Sequence, residues 1–86
     1  MDELKQLRKQ VDSVDKQLLQ LLSQRVQVCR SIGSIKKRQG LPVQDSRREQ
    51  EVYQQVKAKA AQLGLNPAQI EAIYREIVNM CSAVQE

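Results

Sequence analysis

The sequence predicts an all-α chain of a long, a short and a medium helix that pairs with a second copy into an intertwined homodimer. Three observations carry this. Apolar residues recur at three- and four-residue spacing through Leu4, Leu7, Val11, Val14, Leu18 and Leu21, break at Arg25, and resume at Val28, Ile32 and Ile35, the stripe of one long helix face. No segment alternates apolar and polar residues over a strand length. Helix formers (Ala, Leu, Gln, Lys, Arg, Glu) dominate, and the only aromatics are Tyr53 and Tyr74, so the core is aliphatic.

The first helix is expected over about 2–38. Asp2 and Glu3 suit its positive end, Lys36, Lys37 and Arg38 suit its negative end, and Gly40 supplies the stop. At 1.5 Å per residue it is roughly 55 Å long. A compact domain of this length is only about 25 Å across. One globular chain cannot cover such a stripe, whereas two long helices lying side by side can. Gln39 to Gln44 form a short loop, and Asp45 or Ser46 caps a second helix over about 46–63. Ser46-Arg47-Arg48-Glu49 has the form of a capping box, and Val52, Val56, Ala60 and Leu63 are the expected buried face. Gly64 ends it. Asn66 as N-cap and Pro67 at the first helical position open a third helix over about 67–85, with Ile70, Ile73, Ile77, Cys81 and Val84 inward.

The chain has 86 residues, which indicates a single domain over 1–86. A compact monomer of this size buries only about 60% of its unfolded surface. Nothing resembles a signal peptide and no apolar run spans a membrane, so a cytoplasmic protein with reduced Cys29 and Cys81 is expected, with no membrane partner. Without histidine, an N/S metal site and His-dependent nucleophilic catalysis are disfavoured, and no cofactor is implied. Fourteen Lys+Arg against ten Asp+Glu point to anionic partners without saying whether these are polymers or small molecules.

Arg25 puts a cation on the apolar seam. A buried charge needs a partner, and the nearest flanking acid, Asp15, is ten residues away. The anion is therefore a candidate ligand. Lys36 lies eleven residues on, on the same side and about 16 Å along the axis. Arg8 lies about 25 Å from Arg25 in the other direction, too far to share a small ligand within one chain, but close to the Arg25–Lys36 stretch of an antiparallel partner. Arg48, Glu49 and Gln85 add a cation, a carboxyl and an amide near the core side.

These residues carry a resemblance. Leu7-Arg8, Val14-Asp15-x-x-Leu18-Leu19-x-Leu21-Leu22-x-x-Arg25, Ile32-Gly33-x-x-Lys36, Pro42-Val43-x-Asp45-x-x-Arg48-Glu49 and Gln85 together resemble the all-helical (AroQ-class, type II) chorismate mutases over nearly the whole chain. The resemblance implies a homodimer with shared active sites that rearranges chorismate to prephenate in phenylalanine and tyrosine biosynthesis. Arg25 and the partner copy's Arg8 would grip the two carboxylates of this dianion. Lys36 and Gln85 would hydrogen-bond the ether oxygen, Glu49 and the backbone at Asp45 would hold the ring hydroxyl, and Arg48 would reinforce the anion-binding face. Cys81 stands where a carboxylate-binding serine is found in a well-known member, and a thiol is a weaker donor. A unimolecular rearrangement needs conformer selection and electrostatic stabilisation, with no metal or nucleophile.

Other readings exist for each residue. Arg25 could snorkel from a coiled-coil seam, Lys36 could serve the helix dipole, Glu49 could be a cap partner, and both cysteines could be small core residues. The alternatives for the whole chain are an isochorismate-pyruvate lyase on the same scaffold, disfavoured by Asp45-x-x-Arg48-Glu49, and a non-enzymatic dimerisation or nucleic-acid-binding module. No stacking aromatic accompanies the basic clusters and no helix-turn-helix spacing appears, so no nucleic-acid partner is expected.

Overall fold

The computed structural model describes residues 2–86 and contains three helices: α1 (Asp2–Gln39), α2 (Ser46–Gln62) and α3 (Pro67–Gln85). Among the described residues there is no strand. The molecule measures 57 × 24 × 15 Å with a radius of gyration of 16.2 Å, against about 12 Å for a compact chain of this length. The long dimension is α1 itself.

The helix ends follow from local chemistry. Gly40 takes a left-handed φ of 68°. This lets Leu41 N–H reach Lys36 O at 2.8 Å and Gly40 N–H reach Lys37 O at 3.3 Å, the Schellman pattern that satisfies carbonyls a helix end leaves open. Gly64 closes α2 in the same way. Asn66 Oδ1 accepts from Ala68 N and Gln69 N at 2.9 and 3.2 Å, with Pro67 next to it. At the start of α2 the cap is Asp45, whose Oδ1 accepts from Arg48 N at 3.1 Å. The Ser46–Glu49 capping box does not form. The helix enters one residue earlier, so the box position falls on Arg48, and Glu49 instead accepts from Gln44 Nε2 at 3.2 Å.

Both α1 and α2 pack on α3, and no close backbone contact joins α1 to α2. The pairs reveal the register. Arg75 lies over the Tyr53 ring at 4.5 Å and Lys57 bridges Glu71 at 2.9 Å; four residues forward on α2 correspond to four back on α3, so these two are antiparallel. Gly33 abuts Gln85 and Cys29 neighbours Cys81; here a step back on one helix is a step back on the other, so α1 and α3 are parallel. Glu71 also accepts from Arg75, and the hydrogen bonds from Lys57 and then Arg75 hold its carboxyl below the usual range. Exposed pairs of this sort contribute little energy; their role is to fix register.

The core is small. Cys29, Tyr53, Ala60, Val78 and Cys81 are the buried apolar residues, and Gly33 is buried with them. Two expected core residues lie outside. Leu63 is exposed because it sits in the α2–α3 turn, with no helix opposite it, and Ile73 is exposed because it shares the outer face of α3 with Met80. Tyr53, outside the expected stripe, is buried by α3. On α1 the residues against α3 are Leu22, Val26, Cys29, Gly33 and Lys36, a stripe offset from the apolar seam. The seam itself is open: Leu7, Val14, Leu21 and Val28 are each more than half exposed.

Candidate active site

Helices α1 and α2 diverge from α3 and leave a cavity of about 370 Å³ between them, within the size range of small-molecule sites. Arg25, Val28, Cys29, Ile32 and Lys36 line it from α1, Val43 and Asp45 from the loop, Arg48, Glu49 and Val52 from α2, and Val78, Cys81, Ser82 and Gln85 from α3. Helical spacing explains the convergence. On α1, positions 25, 29, 32 and 36 share one side; on α3, positions 78, 81, 82 and 85 do the same.

Arg25 is half-buried and lies where the offset stripe meets the seam. Its Nη1 donates to Cys81 Sγ at 2.7 Å and lies 4.0 Å from Cys29 Sγ. Sulfur is a weak acceptor. Burial pushes the Cys29 thiol up to about 11, helped by a hydrogen bond with Cys81 and opposed by the charges of Arg25 and Lys36. Cys29 therefore stays a neutral thiol at neutral pH. The ion pairs among the described residues are Arg48–Glu51, Lys57–Glu71 and Arg75–Glu71, so neither Arg25 nor Lys36 has a carboxylate partner.

Lys36 is the most constrained cation of the site. Its Nζ donates to Val43 O at 2.7 Å and to Gln85 Oε1 at 2.8 Å. An ammonium has three N–H donors, so one remains for a ligand. Because the Gln85 oxygen faces Lys36, the Gln85 NH₂ is also free to donate. Both partners of Lys36 are neutral. They orient the charge without cancelling it.

Of the residues expected in the site, Arg25, Lys36, Asp45, Arg48, Glu49, Cys81 and Gln85 all line this cavity. Arg8 does not; it lies on the first half of α1, where every residue is exposed. Arg48 leans outward, its guanidinium 3.4 Å from Glu51 with a side chain 59% exposed. Sequence reasoning missed Ser82, whose hydroxyl side lines the cavity next to Cys81; the signal was its place three residues before Gln85 on the same face. It also missed the Val43 carbonyl, which no side-chain pattern encodes. Val28 and Ile32, read as seam residues only, form apolar wall.

Comparison with known proteins bears on this arrangement. A family profile described as chorismate mutase type II matches residues 7–86. A bifunctional chorismate mutase/prephenate dehydratase from Aquifex aeolicus is 35% identical across 100% of this chain and 25% of its own length. A T-protein from Enterobacter agglomerans is 40% identical across 88% of this chain and 20% of its own length. The chain thus spans a quarter or less of these curated relatives. Among solved structures, a conserved hypothetical protein from Pyrococcus furiosus has 32% identity and a TM-score of 0.80, covering 100% of this chain and 99% of that one.

Proposed function

The chain belongs to the chorismate mutase type II family, and we propose that it rearranges chorismate to prephenate as a homodimer with two shared sites. The observation that carries this reading is the convergence of Arg25, Lys36 and Gln85 on one cavity, with both cations contacting only neutral groups of the chain.

Chorismate carries two carboxylates and an ether bridge. In the rearrangement one C–O bond breaks as one C–C bond forms, and negative charge grows on the ether oxygen. Arg25 holds one carboxylate from the α1 side. The apolar wall of Val28, Ile32, Val52 and Val78 presses the side chain over the ring, favouring the compact conformer. The third N–H of Lys36 and the NH₂ of Gln85 meet the ether oxygen. Because Val43 O and Gln85 already fix Lys36, it need not reorganise as charge develops, which is the condition for efficient electrostatic catalysis. Glu49 and the Asp45 backbone take the ring hydroxyl, and Arg48 swings from Glu51 toward the anion. Ser82, beside Cys81, is a hydroxyl donor able to supply what the thiol cannot.

The second carboxylate falls to Arg8 of the partner subunit. The seam from Leu4 to Ile35 is symmetric about Leu18–Leu21, so antiparallel pairing sets Arg8 roughly opposite Ile32, between Arg25 and Lys36 of the other copy. The same pairing covers the half-exposed seam residues, each contributing on the order of 1 kcal/mol. A cytoplasmic location accords with the two free, buried cysteines; among the described residues no helix is long and apolar enough to cross a membrane.

An absorbance assay of chorismate loss with product identification tests the proposal. Prephenate is the expected product. Salicylate with pyruvate from isochorismate points to the lyase, and no turnover of either substrate points to a binding module.

A further inference from the structure

Gly33 has helical backbone angles with no left-handed φ, so conformational freedom does not explain it. In a helix interior glycine costs about 1 kcal/mol relative to alanine. Space explains it. A Cβ at position 33 would stand 2.8 Å from Gln85 Cα, 3.0 Å from its Cβ and 3.1 Å from its Cγ. The first of these is a backbone atom, which no rotamer change can move. An ordinary carbon contact is about 3.5–4.0 Å, so the end of α3 would have to withdraw by about 1 Å.

We propose that Gly33 is a positioning residue for the electrostatic pair of this site: by admitting the α3 backbone against α1, it sets the Gln85 carboxamide where Lys36 Nζ can hold it. The distances leave little slack. Gln85 Oε1 is 2.8 Å from Nζ, and a withdrawal of about 1 Å takes this contact past hydrogen-bond range. Lys36 cannot follow, because Val43 O tethers the same Nζ at 2.7 Å. Following α3 would release the loop that carries Asp45. A methyl group at position 33 thus forces a choice between the amide and the loop. Either way the two donors no longer converge on one oxygen. The catalytic part of this inference rests on the mutase reading; the positioning part does not.

The experiment uses the full chain in four forms: wild type, Gly33→Ala, Gln85→Gly and the double variant, each checked for helix content. Gly33→Ala should lower kcat by about a hundredfold, the cost of an ångström-scale misplacement, with KM changed by less than about threefold. In the Gln85→Gly background, where the crowding Cβ and Cγ are gone and no carboxamide remains to position, Gly33→Ala should change kcat by less than about threefold. A further loss of a hundredfold there would place Gly33's role elsewhere and overturn the inference, even if the single variant does not fold. A folded Gly33→Ala with wild-type kcat would overturn it too. One readout is independent of turnover. The Gln85 side-chain NH₂ cross-peak in a ¹⁵N spectrum, assigned by its loss in Gln85→Gly, should move to the free-glutamine position in Gly33→Ala. If the wild type converts no chorismate yet this peak moves, the positioning stands and the mutase reading falls. If the peak stays, the positioning falls.

Discussion

The two halves of α1 share a periodicity and little else. From Asp2 to Leu21 every residue is exposed, including Leu7, Val11 and Val14, and nothing of the same chain packs there. From Leu22 onward the helix turns a second stripe to α3 and buries Cys29 and Gly33. The first half carries Arg8, exposed, and the second carries Arg25 and Lys36, half-buried and hydrogen-bonded. One half is shaped for its own chain, the other for a surface that its own chain lacks. The lesson is that a single helix can carry two interfaces whose stripes cross, and that Arg25 lies at the crossing.

The strongest way to break this comparison is to charge the open half. Val14→Glu, on the seam, should yield monomers by sedimentation and abolish chorismate turnover, whereas Lys16→Glu off the seam should leave both intact. A dimeric, active Val14→Glu protein would mean that the first half has no partner.

Next come the two arginines. Arg8→Ala and Arg25→Ala should each lower kcat/KM by about 4 kcal/mol equivalent, as expected when a desolvated charge pair loses one member. They should differ in company: a mixture with demonstrated subunit exchange regains activity, because a heterodimer assembles one site with both arginines. Absence of recovery would put both residues in one chain's site.

Lys36→Ala should cost about 3–4 kcal/mol in kcat with a smaller change in KM, since the oxyanion exists only in the transition state. Lys36→Arg should rescue poorly, because a planar fork cannot satisfy Val43 O and Gln85 as a point charge does. Near-wild-type kcat in a folded Lys36→Ala dimer would shift the electrostatic role to another donor.

The smallest effect sharpens the packed half alone. The Cys29 thiol has its ordinary value of 9.0 raised to about 11 in the fold. The unfolded chain loses this proton first, so the stabilisation is complete below pH 9 and fades as pH rises toward 11. Urea unfolding between these limits should show a downward slope that Cys29→Ala flattens. An unchanged slope would assign it to other groups.

The sequence showed the seam plainly, because nine apolar residues in step outweigh one arginine. It showed the three helices because their stops are chemically blunt: Gly40, Gly64 and Asn66-Pro67. The offset stripe stayed hidden. Leu22, Val26, Cys29, Gly33 and Lys36 include only two strongly apolar residues, and what makes them a face is the parallel register with α3, a long-range property. The cap was ambiguous for a local reason, since adjacent Asp45 and Ser46 each have cap chemistry and only the backbone path decides. Most candidate site residues fell into one cavity because a resemblance grouped them. Ser82 and the Val43 carbonyl had no such guide.

Arg25 and Lys36 make the empty site thermodynamically uneasy. Two like charges point into one cavity with sulfur, carbonyl and amide for company, and their repulsion is an internal load on the folded chain. Exchanging Arg25 for an apolar side chain of similar length would relieve it, so the most stable version of this fold is not the active one. An anionic ligand removes the same load reversibly. It should therefore raise the melting temperature of the wild type through linkage and do so much less once Arg25 is gone. The site and the stability of the domain are coupled through the same guanidinium, and selection on either acts on both.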